Sequence, residues 1–115
     1  MARDRSPIVK QSRREGYALH PKAHKIMVKR TNIPGEHGGG RQQKPSGYAL
    51  QLREKQKVRR LYGLLEKQFS NLMKEANRST GQSGQILLQF LERRLDNAIY
   101  RAGFATSRRA ARQLV

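Results

Sequence analysis

Twenty-five lysines and arginines face only eight aspartates and glutamates in this sequence, which leaves a formal charge of +17 on 115 residues. Charge of one sign at that density repels itself and opposes compaction, so a bound polyanion favours the folded chain. Nucleic acid is the first expectation and an anionic membrane surface the second. The excess is not confined to one end: residues 1–47 carry eleven cations against three acids, and residues 48–115 carry fourteen against five. The length suits one domain, or one small domain with a tail.

Several classes of function drop out. With no cysteine there is no disulfide, no thiolate metal site and no thiol nucleophile. No apolar run approaches the roughly 18 residues of a membrane span, and the basic N-terminus has no apolar stretch after it, so it does not read as a secretory signal. The expected compartment is the cytoplasm. Few carboxylates and no nucleophile–base pair argue against catalysis, so no catalytic residue is expected. Asp96, next to Arg93 and Arg94, reads as an ion-paired structural residue. His20 and His24 have i,i+4 spacing, but Pro21 separates them and no third ligand follows, so no metal and no cofactor is expected.

A compositional break falls near Gly47. Residues 1–47 hold all four prolines, and only six of these residues are Leu, Ile, Val or Phe; residues 48–115 hold no proline and eighteen such residues. The first part cannot bury enough apolar surface to offset its chain entropy alone. It reads as an irregular basic arm with cations recurring from Lys10 through Arg13, Arg14, Arg41 and Lys44, with Ile26, Met27 and Val28 as a possible short strand. Such an arm is expected to order against a partner surface.

The second part reads as helices. Residues from about 49 to 61 contain no breaker, and Gly63 interrupts. Leu65, Phe69, Leu72, Met73 and Ala76 then form one stripe of an amphipathic helix. After a polar turn at 79–84, a longer helix is expected from about Gln85, carrying Leu88, Leu91, Leu95, Ala98 and Ala102, with Gly103 ending it. Thr106 or Ser107 can cap a last helix. That helix stops after about two turns with an apolar end, which suggests the front of a longer protein or an end covered by a partner. The fold class is therefore mainly α, with a long irregular basic arm.

Three motifs bear on binding. In LREKQKVRRLYG, from Leu52, the cations Arg53, Lys55, Lys57, Arg59 and Arg60 face one acid, Glu54, whereas solvated helices usually interleave acids at i,i+4. Ser107 with Arg108, Arg109 and Arg112 places forked donors by a helix start, an arrangement suited to phosphate. The run Pro34-Gly35-Glu36-His37-Gly38-Gly39-Gly40-Arg41 is either bare backbone that approaches a phosphate or a flexible linker, and it lacks the ending of a nucleotide-binding loop. Of the aromatic residues, Tyr17 and Tyr48 are the better candidates for stacking on bases, whereas Phe69 and Phe90 read as core.

These stretches, in order, carry a resemblance. Ser12-Arg13-Arg14-Glu15-Gly16, Pro34-Gly35-Glu36-His37-Gly38, QLREKQKVRRLYG from Gln51, Glu66-Lys67-Gln68-Phe69, Arg94-Leu95-Asp96-Asn97, and the run from Tyr100 to Val115 through Ser107-Arg108-Arg109 resemble the bacterial type of the small-subunit ribosomal protein S-four family. The resemblance implies a structural protein that binds small-subunit ribosomal RNA early in assembly, nucleates the body of the particle and influences decoding accuracy. It implies ribosomal protein S-five and other small-subunit proteins as partners, and a place on the cytoplasmic ribosome. By position, Arg13, Arg14, His37, the helix at 53–60, and residues 107–112 would face RNA. Some relatives hold zinc on N-terminal cysteines; Val9 and Ser12 stand in that neighbourhood here, so zinc is not expected. The implied organisation is an arm at 1–47, a helical domain at 48–93, and from 94 the start of an RNA-binding module that is cut short.

Three rivals stand against this reading. A histone-like DNA protein would not discriminate by the 2′-hydroxyl. An RNA-modifying enzyme would need a further catalytic domain. Membrane lysis is disfavoured because the helix around Lys57 has no broad apolar face.

Overall fold

The computed structural model describes residues 3–41 and 43–115, so residues 1, 2 and 42 of the expected arm lie outside the described residues. Seven helices and no strand occur among the described residues, and the mainly α expectation holds. No helix among them is long and apolar enough to cross a membrane. The chain forms two compact units, one comprising Arg5–Leu61 and the other built on Tyr62–Val115.

The N-terminal unit contains α1 (Ile8–Glu15), α2 (Pro21–Lys29) and most of α3 (Gly47–Tyr62). Two helices therefore occupy chain that was expected to be irregular, and Ile26, Met27 and Val28 lie inside α2 rather than in a strand. Local chemistry explains both helices. Gly16 adopts φ +64° and ends α1, with its N–H donating to the Ser12 carbonyl. His20 caps α2, its Nδ1 accepting from the Lys22 N–H at 3.1 Å, and Pro21 takes the first helical position, where its fixed φ suits a helix. The fully buried Ser12 hydroxyl donates to the Ile8 carbonyl at 2.8 Å and accepts from the Leu19 N–H at 3.1 Å, so it ties α1 to the turn before α2.

This unit has almost no apolar core. Ala23 is its only buried apolar residue among those described, as the low Leu, Ile, Val and Phe content would lead one to expect. A carboxylate takes the core's place. The Glu15 side chain is wholly shielded from solvent, and its Oε1 accepts from Arg53 Nη1 at 3.1 Å and from Arg60 Nη1 at 2.7 Å. One acid thus joins the end of α1 to two turns of α3. Within the glycine run, a Cβ on Gly38 would sit 1.7 Å from the Ile33 carbonyl oxygen, so the turn closes only with glycine there.

The C-terminal unit contains α4 (Glu66–Arg78), α5 (Ser83–Glu92), α6 (Leu95–Arg101) and α7 (Arg108–Leu114). Gly63, at φ +72°, turns the chain out of α3 and drives Leu64 into full burial. The core gathers Tyr62, Leu64, Phe69, Ala76, Leu87, Leu91 and Ala111. The single long helix expected from Gln85 is instead two helices. The chain breaks at Arg94, which takes an extended conformation (φ −62°, ψ 142°) and starts α6. Of the stripe that crosses this break only Leu91 faces inward: Leu88 and Leu95 are 46% and 62% exposed, while Leu87 and Asn97, outside the stripe, are buried. Gly103, at φ +88°, follows α6, and the Ser107 hydroxyl accepts from the Ala110 N–H at 3.1 Å to cap α7, both where the sequence places them.

Candidate nucleic-acid interface

On α3 the five cations divide by what holds them. Arg53 and Arg60 are committed to Glu15. Lys57 reaches Glu54 Oε1 at 3.1 Å and lies 5.8 Å from the Tyr17 ring centroid, and Arg59 Nε donates to Gln56 Oε1 at 2.8 Å. The Lys57–Glu54 pair is exposed, where such pairs contribute little, whereas the Arg59–Gln56 bond is part-buried. Lys55 is exposed.

Beside this helix Ser6, Pro7, Lys10, Gln11, Arg14, Pro34 and Arg60 line an open cleft of about 410 Å³. Its charged lining is entirely cationic. The cleft brings together Arg14 and Arg60, which the sequence nominates separately, and adds Lys10. Arg13 is not in this lining; it donates from Nε to the Asn32 carbonyl at 3.2 Å, bracing the loop before Pro34. His37, Arg41 and Lys44 are all exposed on the loop that leads to α3. Tyr48 is 76% exposed and Tyr17 48%.

In the C-terminal unit Arg108 and Arg109 are half-buried at the start of α7, and Arg112 is buried. Arg112 donates from Nη1 to the Gly63 carbonyl at 2.8 Å and from Nη2 to Gln68 Oε1 at 3.1 Å. It therefore ties α7 to Gly63 and to α4. The Arg108 guanidinium lies over two tyrosine rings, 5.0 Å from the centroid of Tyr62 and 4.6 Å from that of Tyr100. Its Nε donates to Asn97 Oδ1 at 3.0 Å. Asp96, expected to be ion-paired, accepts from Arg94 Nε at 3.3 Å.

Glu92 is the electrostatic hub of this unit. It accepts from the Tyr62 hydroxyl at 2.5 Å, from Asn97 Nδ2 at 2.7 Å and from Arg101 Nη2 at 3.1 Å. A carboxylate at the C-terminal end of α5 opposes the helix dipole, and these donors offset that. The Tyr62 hydrogen bond, aided by Arg101 and Asn97, holds the Glu92 carboxyl down at about 2. Burial, with the Glu92 charge beside it, pushes the Tyr62 phenol up to about 12. A lowered acid stabilises the fold above its ordinary value of 4.5, and that contribution disappears as pH falls towards 2. A raised phenol stabilises below its ordinary value of 10.0 and ceases to do so as pH rises towards 12. The melting temperature of the C-terminal unit is thus expected to fall between pH 4.5 and 2 and again between pH 10 and 12. In Glu92→Gln, circular dichroism melts should show the acid limb shallower; an unchanged limb would remove Glu92 from this role.

The family model of the Ribosomal protein S4/S9 N-terminal domain matches residues 3–92. The chain belongs to this family. A model of the S4 domain matches residues 93–115, the portion from Arg93 that carries α6 and α7. Whole-length alignments agree. The chain is 58% identical over 115 residues to the small ribosomal subunit protein uS4 of Chlorobium luteolum and 57% identical to that of Chlorobaculum tepidum, in each case over all of this chain and 57% of the relative. It is 52% identical over 121 residues to uS4A of Symbiobacterium thermophilum, covering 58% of that protein. The chain thus spans a little over half the length of these S4 relatives.

Within the S4/S9 N-terminal match, the structure groups Arg14, Arg60 and Lys10 at the cleft, leaves His37, Arg41, Lys44 and Lys55 exposed, and gives Arg53 and Arg60 to Glu15. Within the S4-domain match it puts Arg108 beside Tyr100 and gives Arg112 to the protein interior. Sequence reasoning placed Lys10 only among the cations of the arm, and missed the bridging role of Glu15 and the tyrosine bed of Arg108. Glu15 has a signal: it is one of only three acids in the first 47 residues and directly follows two arginines. Nothing in the one-dimensional pattern pairs Tyr62 with Arg108.

Proposed function

We propose that the chain is a structural constituent of the small ribosomal subunit that binds its ribosomal RNA and carries out no catalysis. Support comes from the names of its relatives and from one physical observation. Eight acids cannot neutralise twenty-five cations, and Glu15, Glu92 and Asp96 are already tied into the fold. The remaining cations must meet an external polyanion for the chain to be compact at low cost. Lys10, Arg14, Lys55, Lys57 and Arg59 in the N-terminal unit, His37, Arg41 and Lys44 on its loop, and Arg108 and Arg109 at α7 are the phosphate-facing set. Arg13, Arg53, Arg60 and Arg112 hold the protein framework that presents them. Binding of this kind reads RNA shape and 2′-hydroxyls more than base edges. Early binding, nucleation of the body of the particle, contact with ribosomal protein S-five and an effect on accuracy extend the same reading, with the cytoplasmic ribosome as its location.

The test is a salt titration. For about nine phosphate contacts, one for each lysine and arginine of this set, log K against log salt for folded ribosomal RNA should have a slope of about −6 to −8. Duplex DNA of equal length should bind more weakly at matched salt. A slope near zero, or equal affinity for the DNA, would overturn the reading.

A further inference from the structure

We infer that Arg108 is a preset edge-on fork for a single RNA phosphate, and that Tyr62, Tyr100 and Asn97 are the positioning residues that aim it. The inference rests on the RNA-binding reading above and adds which atoms do the recognising. An exposed arginine normally samples many rotamers and loses that freedom when it binds. Arg108 does not begin from that state. Its guanidinium carbon lies 4.6 Å from the Tyr100 ring centroid and 5.0 Å from that of Tyr62, close enough for both rings to attract the cation. Its Nε is already donating to Asn97 Oδ1.

Asn97 is itself held. It is 2% exposed, and its Nδ2 donates both to the Glu92 carbonyl at 3.0 Å and to Glu92 Oε2 at 2.7 Å, which leaves Oδ1 aimed at Arg108. Tyr62 is fixed at its far end by the bond from its hydroxyl to Glu92. The guanidinium is therefore held by its planar surface and by Nε. Among the described residues, no hydrogen bond or ion pair reaches its two terminal nitrogens. Those two parallel N–H donors are the geometry that meets two oxygens of one phosphate. Lysine at this position would keep the charge and lose the plane, the Nε bond and the fork.

The experiment uses the 115-residue chain with folded small-subunit ribosomal RNA, measuring affinity across salt for wild type, Arg108→Lys, Tyr100→Leu and the double variant, each checked by circular dichroism for retained helicity. Arg108→Lys should weaken binding roughly tenfold with the salt slope unchanged, because a charge-assisted bond and its geometry are lost but not the charge. Tyr100→Leu should weaken it severalfold, and in the Arg108→Lys background it should add almost nothing, because there is no fork left to aim. Equal binding by Arg108→Lys, or additive effects in the double variant, would overturn the fork. Should Tyr100→Leu lose helicity, the Arg108→Lys comparison alone decides. If the wild-type chain shows no salt-dependent binding, the RNA reading fails first and takes the fork with it.

Discussion

Glu15→Ala is expected to lower the unfolding free energy of the N-terminal unit by about 3 kcal/mol. Removing one partner of a buried ionic group leaves the others without compensation. Here a single shielded carboxylate serves two arginines, whose side chains are 36% and 20% exposed. That partial exposure lets water take over some of the lost interaction and puts the effect at the low end of the range for buried pairs. No apolar core stands behind it: Ala23 is the only buried apolar residue of this unit among those described, so the loss should also appear as faster hydrogen exchange in α1 and α3. Glu15→Gln keeps the shape and one acceptor, and should lose about half as much. A urea or thermal melt of the free chain, read alongside amide exchange, checks both. Identical exchange in Glu15→Ala and wild type would mean that α1 and α3 do not depend on the carboxylate.

Arg112→Ala is the second large effect, at about 2–4 kcal/mol in the C-terminal unit. The substitution strips the Gly63 carbonyl and Gln68 Oε1 of these donors and removes a buried side chain. Its signature separates a framework role from an RNA role. The melting temperature should drop, while the slope of log K against log salt, measured well below that temperature, stays as in wild type. A slope smaller in magnitude by about 0.7–0.9 with an unchanged melt would instead make Arg112 a phosphate contact.

Glu15 and Arg112 show where the sequence is legible and where it stops being so. Helices α3, α4 and α7 are readable because their signals are local: a breaker-free run closed by Gly63, a stripe from Phe69 to Ala76, a capping serine at 107. The register of α5 and α6 is not, because a stripe of leucines at helical spacing continues across Arg93 and Arg94 although the backbone does not. The true inward face then passes to Asn97, a polar side chain that apolar counting ignores. Helices α1 and α2 stay hidden for a related reason. What holds them is a serine hydroxyl, a histidine cap and one carboxylate bridging 38 and 45 residues ahead, none of which contributes to hydrophobic periodicity. The candidate RNA-facing surface is legible as a set of cations. Which of them reach outward and which are bound inward depends on partners such as the Gly63 carbonyl, a backbone atom with no sequence signature.

The bond from Arg112 to Gly63 spans 49 positions, and this separation orders events on a nascent chain. Translation releases Glu15, Arg53 and Arg60 well before Arg112, so the first unit can close its ionic clasp while the Gly63 carbonyl still waits for its donor. At roughly 5–20 residues per second the interval is several seconds. During that time the emerging basic helix is already tied to Glu15, a schedule that lets its cations settle on a polyanion before Arg112 has been made.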